Sequence, residues 1–256
     1  MPNRRPRSLK HEYELYVEGE IENYKESIPR SALLAIGDEA VAALERDSQL
    51  SLTEILLCEE VDRLIFRRLR LPSYQTWRRR RLKAVAELRR PERWGVAPDA
   101  PVVRAVVPSA DGRVLVTGAG TEGSALLLAA HGCDVLTIGS EEDAVMRVLN
   151  EAEAAGLSER VRALVGDLGS FTPDAPLRAV VCSLSALAAL TKTERTRALA
   201  ILKEATADGG IHLVEGVAAG RSKTVLDEVV ASYAGWRISM EGDRGAGTLV
   251  AWKEVA

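Results

Sequence analysis

Three closely spaced glycines give this chain its clearest candidate for chemistry. Residues 113–117 read Arg-Val-Leu-Val-Thr, which is typical of a short buried strand, and Gly118, Gly120 and Gly123 follow directly. Glycine lets bare backbone approach a ligand, and the unpaired N–H groups at a helix N-terminus favour negative charge. The spacing therefore predicts a ligand-binding turn between a strand and a helix, suited equally to a dinucleotide or a nucleoside-type cofactor.

The residues that follow predict the elements that must position this turn. Short apolar strands alternate with helical patterns from Arg113 onward, which predicts a Rossmann-like α/β fold whose parallel sheet binds its ligand at the carboxyl ends of the strands. A connection too short for a crossover helix joins the last two strands, so these form an antiparallel C-terminal hairpin at the sheet edge. The predicted strands are Val114–Thr117, Asp134–Ile138, Arg162–Val165, Ala179–Cys182, Ile211–Glu215, Trp236–Met240 and Thr248–Trp252. The predicted helices are Ser124–Ala130, Glu141–Ala155, Lys192–Ala207 and Arg221–Tyr233.

The first 95 residues predict an all-helical domain, because their apolar residues recur every three or four positions. Residues 96–112, which hold several prolines, are predicted to be a linker or a crossing strand, so that the α/β domain spans 113–256. Ser51-Leu52-Thr53-Glu54 has the pattern of a capping box that opens the third helix. The core-facing residues predicted for that helix are Ile55, Leu56, Val61, Leu64 and Ile65.

Charge is distributed unevenly within the helical domain. Residues 11–63 hold fourteen Asp and Glu against four Lys and Arg, whereas Arg67–Arg93 holds eleven Lys and Arg against two Glu. This arginine cluster could bind nucleic acid, with Tyr74 and Trp77 stacking on bases. We favour a different interpretation, in which the N-terminal helices cap the site or form a homodimer, and the arginines pair with acidic helices of the same or a neighbouring subunit.

The overall composition is that of a globular protein, with 46% apolar residues, 28% charged residues and a net charge of −3. The sequence contains no apolar run that could span a bilayer and no secretory signal, so we expect a cytoplasmic protein without a membrane partner. Cys58, Cys133 and Cys182 lack the spacing of a metal site and have apolar neighbours in sequence. They are predicted to be buried, reduced thiols, and no metal is expected.

Four segments carry a resemblance to a known family. The first is the glycine turn with its strand, residues 114–121. The others are Gly166-Asp167 directly after the third predicted strand, residues 177–190 with the fourth strand and its loop, and residues 207–211 at the turn before the fifth strand. From about Val106 to Val255 the chain resembles the class I S-adenosylmethionine-dependent methyltransferases. The resemblance implies S-adenosylmethionine as cofactor, with an acidic residue after the third strand, here Asp167, bonded to the adenine amino group. The cofactor-binding residues that it implies are Thr117, Gly118, Ala119, Gly120, Gly139, Asp167, Leu168 and Cys182.

Three positions depart from the family pattern. Val116 stands where an acidic residue is usual, Glu122 stands where a third glycine is common, and Gly139 stands where an acidic residue normally holds the ribose hydroxyls. Glu141 or Glu142 could supply that last carboxylate from the following turn. The same Gly139 position would hold the ribose contact of a nicotinamide dinucleotide, so this contact is missing under either interpretation.

The sequence identifies no general base. His131 and His212 are interpreted as structural, and Cys182, Ser183 and Ser185 are the substrate-pocket candidates. Three hypotheses stay open. The favoured one is a methyltransferase whose acceptor is a small molecule rather than a nucleic acid. The second is a methyltransferase-like scaffold or interaction subunit that does not turn over, and the third is an NAD(P)-binding oxidoreductase.

Overall fold

Two compact units make up the chain, residues 1–84 and residues 85–256, and we call them the N-terminal and C-terminal units. The computed structural model describes residues 8–46, 54–109, 111–174, 176–217, 223–243 and 246–254. None of the helices in these ranges is both long enough and apolar enough to cross a membrane. The domain limits at residues 95 and 112 stay a prediction.

The N-terminal unit is helical in its described residues. Its apolar centre consists of Ile21, Ile36, Ala40, Leu64 and Ile65. The helices are α1 (Leu9–Ser27), α2 (Arg30–Glu45), α3 (Glu54–Leu69) and α4 (Tyr74–Leu88), the last of which crosses the boundary between the units.

Two predictions for α3 are wrong, and a third lies outside the described residues. Ile55 was predicted to be in the core but is 72% exposed, because it lies about 180° around the helix from the buried Leu64. Cys58 was predicted to be buried but is exposed. Its apolar neighbour in sequence, Leu57, lies about 100° away on a helix and therefore says little about the burial of Cys58. The capping box that begins at Ser51 falls in the range that is not described.

A seven-stranded sheet forms the centre of the C-terminal unit, with the order β3-β2-β1-β4-β5-β7-β6. Strands β1 to β5 pair with one another in parallel, whereas β7 is antiparallel to both β5 and β6. The predicted Rossmann-like sheet with an antiparallel C-terminal hairpin is confirmed. The strands are β1 (Arg113–Thr117), β2 (Asp134–Gly139), β3 (Val161–Val165), β4 (Leu177–Ser183), β5 (Thr206–Val217), β6 (Arg237–Asp243) and β7 (Ala246–Trp252).

Apolar clusters cover both faces of this sheet. One cluster contains Val114, Val116 and Val181, and the other contains Leu115, Val180 and Cys182, as the alternation of side chains along a strand requires. The helices of this unit are α5 (Glu122–Ala130), α6 (Glu142–Ala154), α7 (Leu184–Ala188), α8 (Lys192–Ala205) and α9 (Lys223–Ser232). The sequence had not predicted α7.

The segment before β1 contains short helical turns at Val102–Val106 and Val107–Ser109. Val102 and Val106 are fully buried in the first of the two apolar clusters. Residues that the prolines suggested to be a linker therefore contribute to the core of the C-terminal unit.

Candidate ligand-binding site

A cavity of about 200 Å³ lies where the carboxyl ends of β1, β2 and β3 meet. The turn after β1, the end of β2 and the start of α6, the end of β3 and the helix α7 form its walls. The residues that line it are Thr117, Gly118, Ala119, Thr121, Glu122, Thr137, Ile138, Gly139, Ser140, Glu141, Ala144, Val145, Arg147, Val148, Gly166, Asp167, Leu168, Ala186, Ala189 and Leu190. Six of the eight residues implied as cofactor-binding are among them, and Gly120 and Cys182 are not.

Gly118 is required by its backbone and by its surroundings. Its φ of 100° lies in the region that favours glycine, and a Cβ there would overlap Ser183 Oγ and lie 3.0 Å from the Cβ of Ala186. The Thr121 hydroxyl donates to the carbonyl oxygen of Gly118 at 2.7 Å and closes the turn. The turn after β1 can therefore pass over the start of α7 only because residue 118 has no side chain.

Gly123 serves packing rather than ligand contact. A Cβ on Gly123 would overlap the carbonyl oxygen of Trp94, in a short helical turn that precedes β1, so this glycine lets α5 lie against that backbone. Around Gly120, by contrast, the structure leaves open space, and its φ is 84°. The three glycines that suggested one fingerprint thus have different physical roles.

The end of β2 offers a carboxylate from Glu141 instead of from residue 139. A Cβ on Gly139 would lie only 3.1 Å from Val145 Cγ2, so a larger residue would crowd α6. Glu141, at the N-cap of α6, lines the cavity together with Arg147, whereas Glu142 does not. Of the two glutamates suggested as substitutes, the structure brings only Glu141 to the wall.

Asp167 both closes a local turn and faces the cavity. Its Oδ1 accepts a hydrogen bond from the Ser170 backbone N–H at 3.0 Å, and its Oδ2 accepts one from the Ser170 hydroxyl at 3.3 Å. These bonds form a local turn after β3 and fix the carboxylate. Because Asp167 is exposed and also lines the cavity, its oxygens can accept further hydrogen bonds from a ligand.

The substrate-pocket candidates differ in how accessible they are. Cys182 is buried, its thiol donates to the Ser183 carbonyl oxygen at 3.3 Å, and burial raises its pKa to about 12. It is therefore a core thiol and not a nucleophile. Ser183 accepts a hydrogen bond from the Ala186 N–H at 3.2 Å as the N-cap of α7, and its hydroxyl lies 2.8 Å from that of the exposed Ser185.

A residue that the sequence analysis missed lies beside Ser183. Glu215 on β5 is the direct strand partner of Ser183 on β4, and it is half-buried. Burial raises the pKa of the Glu215 carboxyl group to about 7. No sequence signal marked it, since the pairing joins residues 32 positions apart and was visible only once β4 and β5 had been aligned.

Two of the histidines are structural, as predicted. His212 is fully buried, and its ring nitrogens lie 2.7 Å from Thr206 Oγ1 and 2.8 Å from the Tyr233 hydroxyl. Burial lowers the pKa of His212 to about 3, so the ring is neutral. His131 follows the last residue of α5 and lies 3.2 Å from the Arg89 carbonyl oxygen, and burial lowers the pKa of its ring too.

A buried arginine holds the α7 wall of the cavity. Arg195 on α8 donates to the carbonyl oxygens of Leu187 at 3.0 Å and Leu190 at 2.9 Å, and it pairs with Glu228 on α9 at 2.5 Å. Leu190 lines the cavity. The pair of Arg195 and Glu228 therefore connects α9 to one wall of the site.

The charge of the cavity favours a cationic ligand. Its lining side chains include three carboxylates, Glu122, Glu141 and Asp167, against one guanidinium, that of Arg147. Opposite charges in a cleft attract a ligand and like charges repel it. A ligand that places a positive group near Glu122 suits this distribution better than one that places a phosphate there.

No protein-family model and no curated protein sequence matches the chain. Among solved structures, it is similar to TehB from Haemophilus influenzae, with 16% identity, a TM-score of 0.49 and coverage of 60% of this chain. The match spans 61% of that protein's length. A glycopeptide N-methyltransferase, MtfA, crystallised with S-adenosylmethionine, is similar over 56% of this chain and 87% of its own, with 15% identity and a TM-score of 0.46. The N-methyltransferase NodS from Bradyrhizobium japonicum matches over 62% and 100%, with 12% identity and a TM-score of 0.46.

Proposed function

We propose that the C-terminal unit is an S-adenosylmethionine-dependent methyltransferase that acts on a small-molecule acceptor. The observation that carries the proposal is the convergence of the Gly118 turn, Glu141 and Asp167 on one cavity at the carboxyl ends of β1, β2 and β3. In an open α/β sheet this edge is where ligands bind.

The residues present fit an adenosyl cofactor. The backbone of Gly118 and Ala119 would lie along its amino-acid part, Glu122 would face its ammonium group, Glu141 would accept from the ribose hydroxyls and Asp167 from the adenine amino group. Glu122 lines the cavity without filling it, so it does not close the site. When bound, the cofactor supplies a methyl group already activated by a sulfonium, whose bond pair stays on sulfur when the methyl leaves.

The same charges disfavour the oxidoreductase alternative. A dinucleotide would set its pyrophosphate at the N-terminus of the helix after β1, where Glu122 opens α5. Two like charges at contact distance repel each other. The glycine spacing is also weaker evidence for a dinucleotide site, because the packing of α5 against Trp94 is sufficient to explain Gly123.

Ligand-dependent thermal unfolding tests the proposal, since a ligand that binds the native state raises the midpoint. We expect S-adenosylhomocysteine and S-adenosylmethionine to raise it and NAD to leave it unchanged. Asp167→Ala should abolish the rise, whereas Asp227→Ala, an exposed carboxylate on α9, should preserve it. No rise at millimolar ligand would favour the scaffold alternative, as would a rise without any transfer of labelled methyl groups to a metabolite extract.

We also propose that the N-terminal unit pairs with a second copy of itself. Four exposed glutamates, Glu14, Glu18, Glu22 and Glu26, follow one another at four-residue spacing on α1, with the 39%-exposed Leu15 among them. Like charges at this spacing destabilise an isolated helix, so an external partner for them is reasonable. Two of them have local partners, His11 and Lys25.

The basic helix α4 offers the complementary surface. Its packed side is identified by the ring contacts of Tyr74 and Trp77 with α1, so Arg79 and Lys83 lie on the opposite side. Both are exposed, form no ion pair with any residue that the structure describes, and flank Leu82, which is 45% exposed. Reciprocal pairing of α1 with α4 of a second copy would satisfy both charges and cover both leucines.

A charge swap tests this pairing. Glu18→Lys with Glu22→Lys should lower the oligomer fraction in sedimentation velocity at low salt, as should Arg79→Glu with Lys83→Glu. All four changes together should restore it. A wild-type chain that stays monomeric at 50 μM and shifts only when RNA is added would contradict the proposal and favour nucleic-acid binding.

A further inference from the structure

Three consecutive positions along the carboxyl edge of the sheet lead away from the candidate cofactor cavity. Gly118 directly follows β1 and touches Ser183, which ends the neighbouring strand β4. Ser183 is in turn the strand partner of Glu215 on β5. Partners in a parallel sheet direct their side chains to the same face, so Ser183 and Glu215 are neighbours on one face. The edge therefore continues from the cavity to a hydroxyl and a carboxyl group.

Glu215 is held in an unusual state for a carboxyl group. It is half-buried, and no hydrogen bond or ion pair engages it among the residues that the structure describes. Burial is what raises its pKa to about 7. The Cys182 thiol on β4 is a titratable neighbour of Glu215, and it is neutral because its own pKa is about 12. Arg104, from the helical turns that contact β5, is already paired with Glu241, and β7 places Gly247, Thr248 and Leu249 alongside this part of β5.

A partly buried carboxylate without a partner is costly, and a ligand group that pairs with it recovers that energy. Perturbed carboxyl groups of this kind cluster at functional sites. The exposed Ser185 hydroxyl, hydrogen-bonded to Ser183 at 2.8 Å, adds a group that can donate or accept. Together these groups complement a ligand with one positive charge and several N–H bonds.

We propose that Glu215, Ser183 and Ser185 form the acceptor subsite and that the acceptor is an amine. This inference rests on the proposed function. The amine arrives as an ammonium ion and is bound by the Glu215 carboxylate. One N–H bond then breaks, the proton moves to a Glu215 oxygen, and the nitrogen keeps the electron pair. That lone pair is what a methyl acceptor must present, and no oxidant, reductant or further co-reactant is needed.

Two cofactor analogues probe this subsite without knowledge of the acceptor. Sinefungin carries an amine where S-adenosylmethionine carries its sulfonium methyl, whereas S-adenosylhomocysteine has only a neutral thioether there. Both share the adenosyl and amino-acid parts. The ratio of their dissociation constants, measured by isothermal titration calorimetry, therefore reports what faces the transferred group.

We expect wild-type protein at pH 8 to bind sinefungin about fivefold to tenfold more tightly than S-adenosylhomocysteine, as a partly exposed ion pair provides. Glu215→Gln should abolish this preference while leaving the affinity for S-adenosylhomocysteine unchanged. Glu204→Gln, an exposed glutamate on α8, should leave both unchanged. The wild-type preference should also decrease below pH 7, when the carboxylate becomes protonated.

A preference that persists in Glu215→Gln would overturn the subsite. The failure of the proposed function has a different signature, because neither analogue would then bind the wild-type protein at all, and the subsite would fall with it.

Discussion

Gly118 and Ser183 approach so closely that the turn after β1 and the first turn of α7 could not coexist if residue 118 carried a side chain. The Cβ of Ser183 would lie 2.8 Å from a Cβ at position 118, which is shorter than side-chain carbons tolerate. The candidate cofactor turn is thereby fixed to the strand that leads to the proposed acceptor subsite. One contact sets the distance between the two halves of the proposed reaction site.

Gly118→Ala should lower the free energy of unfolding by about 1–3 kcal/mol, because it adds this overlap to an unfavourable φ. Gly120→Ala is the matched control, with a similar φ and open space around it, and should cost less. Urea denaturation measures both. Combining Gly118→Ala with Ser183→Gly should recover part of the loss, and equal costs for the two alanine variants would contradict the contact.

Glu122→Gln tests the sign of the ligand charge at the start of α5. If Glu122 faces an ammonium group, the change should weaken S-adenosylmethionine binding about fivefold, the order expected for a partly exposed ion pair. Glu142→Gln, in the first turn of α6 but away from the cavity, is the control. Isothermal titration calorimetry measures the binding of both ligands. Tighter binding of NAD by Glu122→Gln would instead support a dinucleotide site.

Glu228→Gln should lower the free energy of unfolding, because it leaves the buried guanidinium of Arg195 without its anion. The same change should weaken S-adenosylhomocysteine binding, since Arg195 also holds the carbonyl oxygen of Leu190 in the cavity wall. Glu204→Gln on α8 should do neither. Chemical denaturation and calorimetry check the two effects, and a variant as stable as wild type would contradict the role of the pair.

The buried, neutral state of His212 implies that the protein loses stability in mild acid. The pKa of His212 in the folded protein is about 3, below the ordinary value of 6.5. Its contribution to the free energy of unfolding is therefore complete above pH 6.5 and declines as the pH falls from 6.5 to 3. In urea denaturation, the slope of the free energy of unfolding against pH should approach about 1.4 kcal/mol per pH unit. Glu215 acts in the opposite direction between pH 7 and 4.5, because its folded pKa is raised.

The His212 measurement is therefore best made in the Glu215→Gln background. His131, whose pKa is also lowered, adds to the loss of stability in acid. It is present both in Glu215→Gln and in the double variant with which that protein is compared. Adding His212→Asn should flatten the slope, and an unchanged slope would show that another group controls it.

Much of the sheet could be predicted because its buried strands alternate regularly with helices, and the short connection between β6 and β7 allowed only a hairpin. The glycine turn and Asp167 could be placed at the carboxyl edge of the sheet, since both follow predicted strands, and their contacts with a cofactor stay a prediction. Residues whose environment depends on distant pairing were not, and Glu215 became significant only through its partner Ser183. The five-residue helix α7 is too short to show a helical period, and the phase of α3 could not be read closely enough to place Ile55 outside the core.

The most direct test of the proposed function is a crystal structure of the protein with S-adenosylhomocysteine. We predict that the adenine will lie against Asp167, the ribose hydroxyls beside Glu141 and the homocysteine along the Gly118–Ala119 backbone, with the sulfur directed toward Ser183. Density for the ligand at another edge of the sheet, or a cavity that stays empty at saturating ligand, would contradict the account.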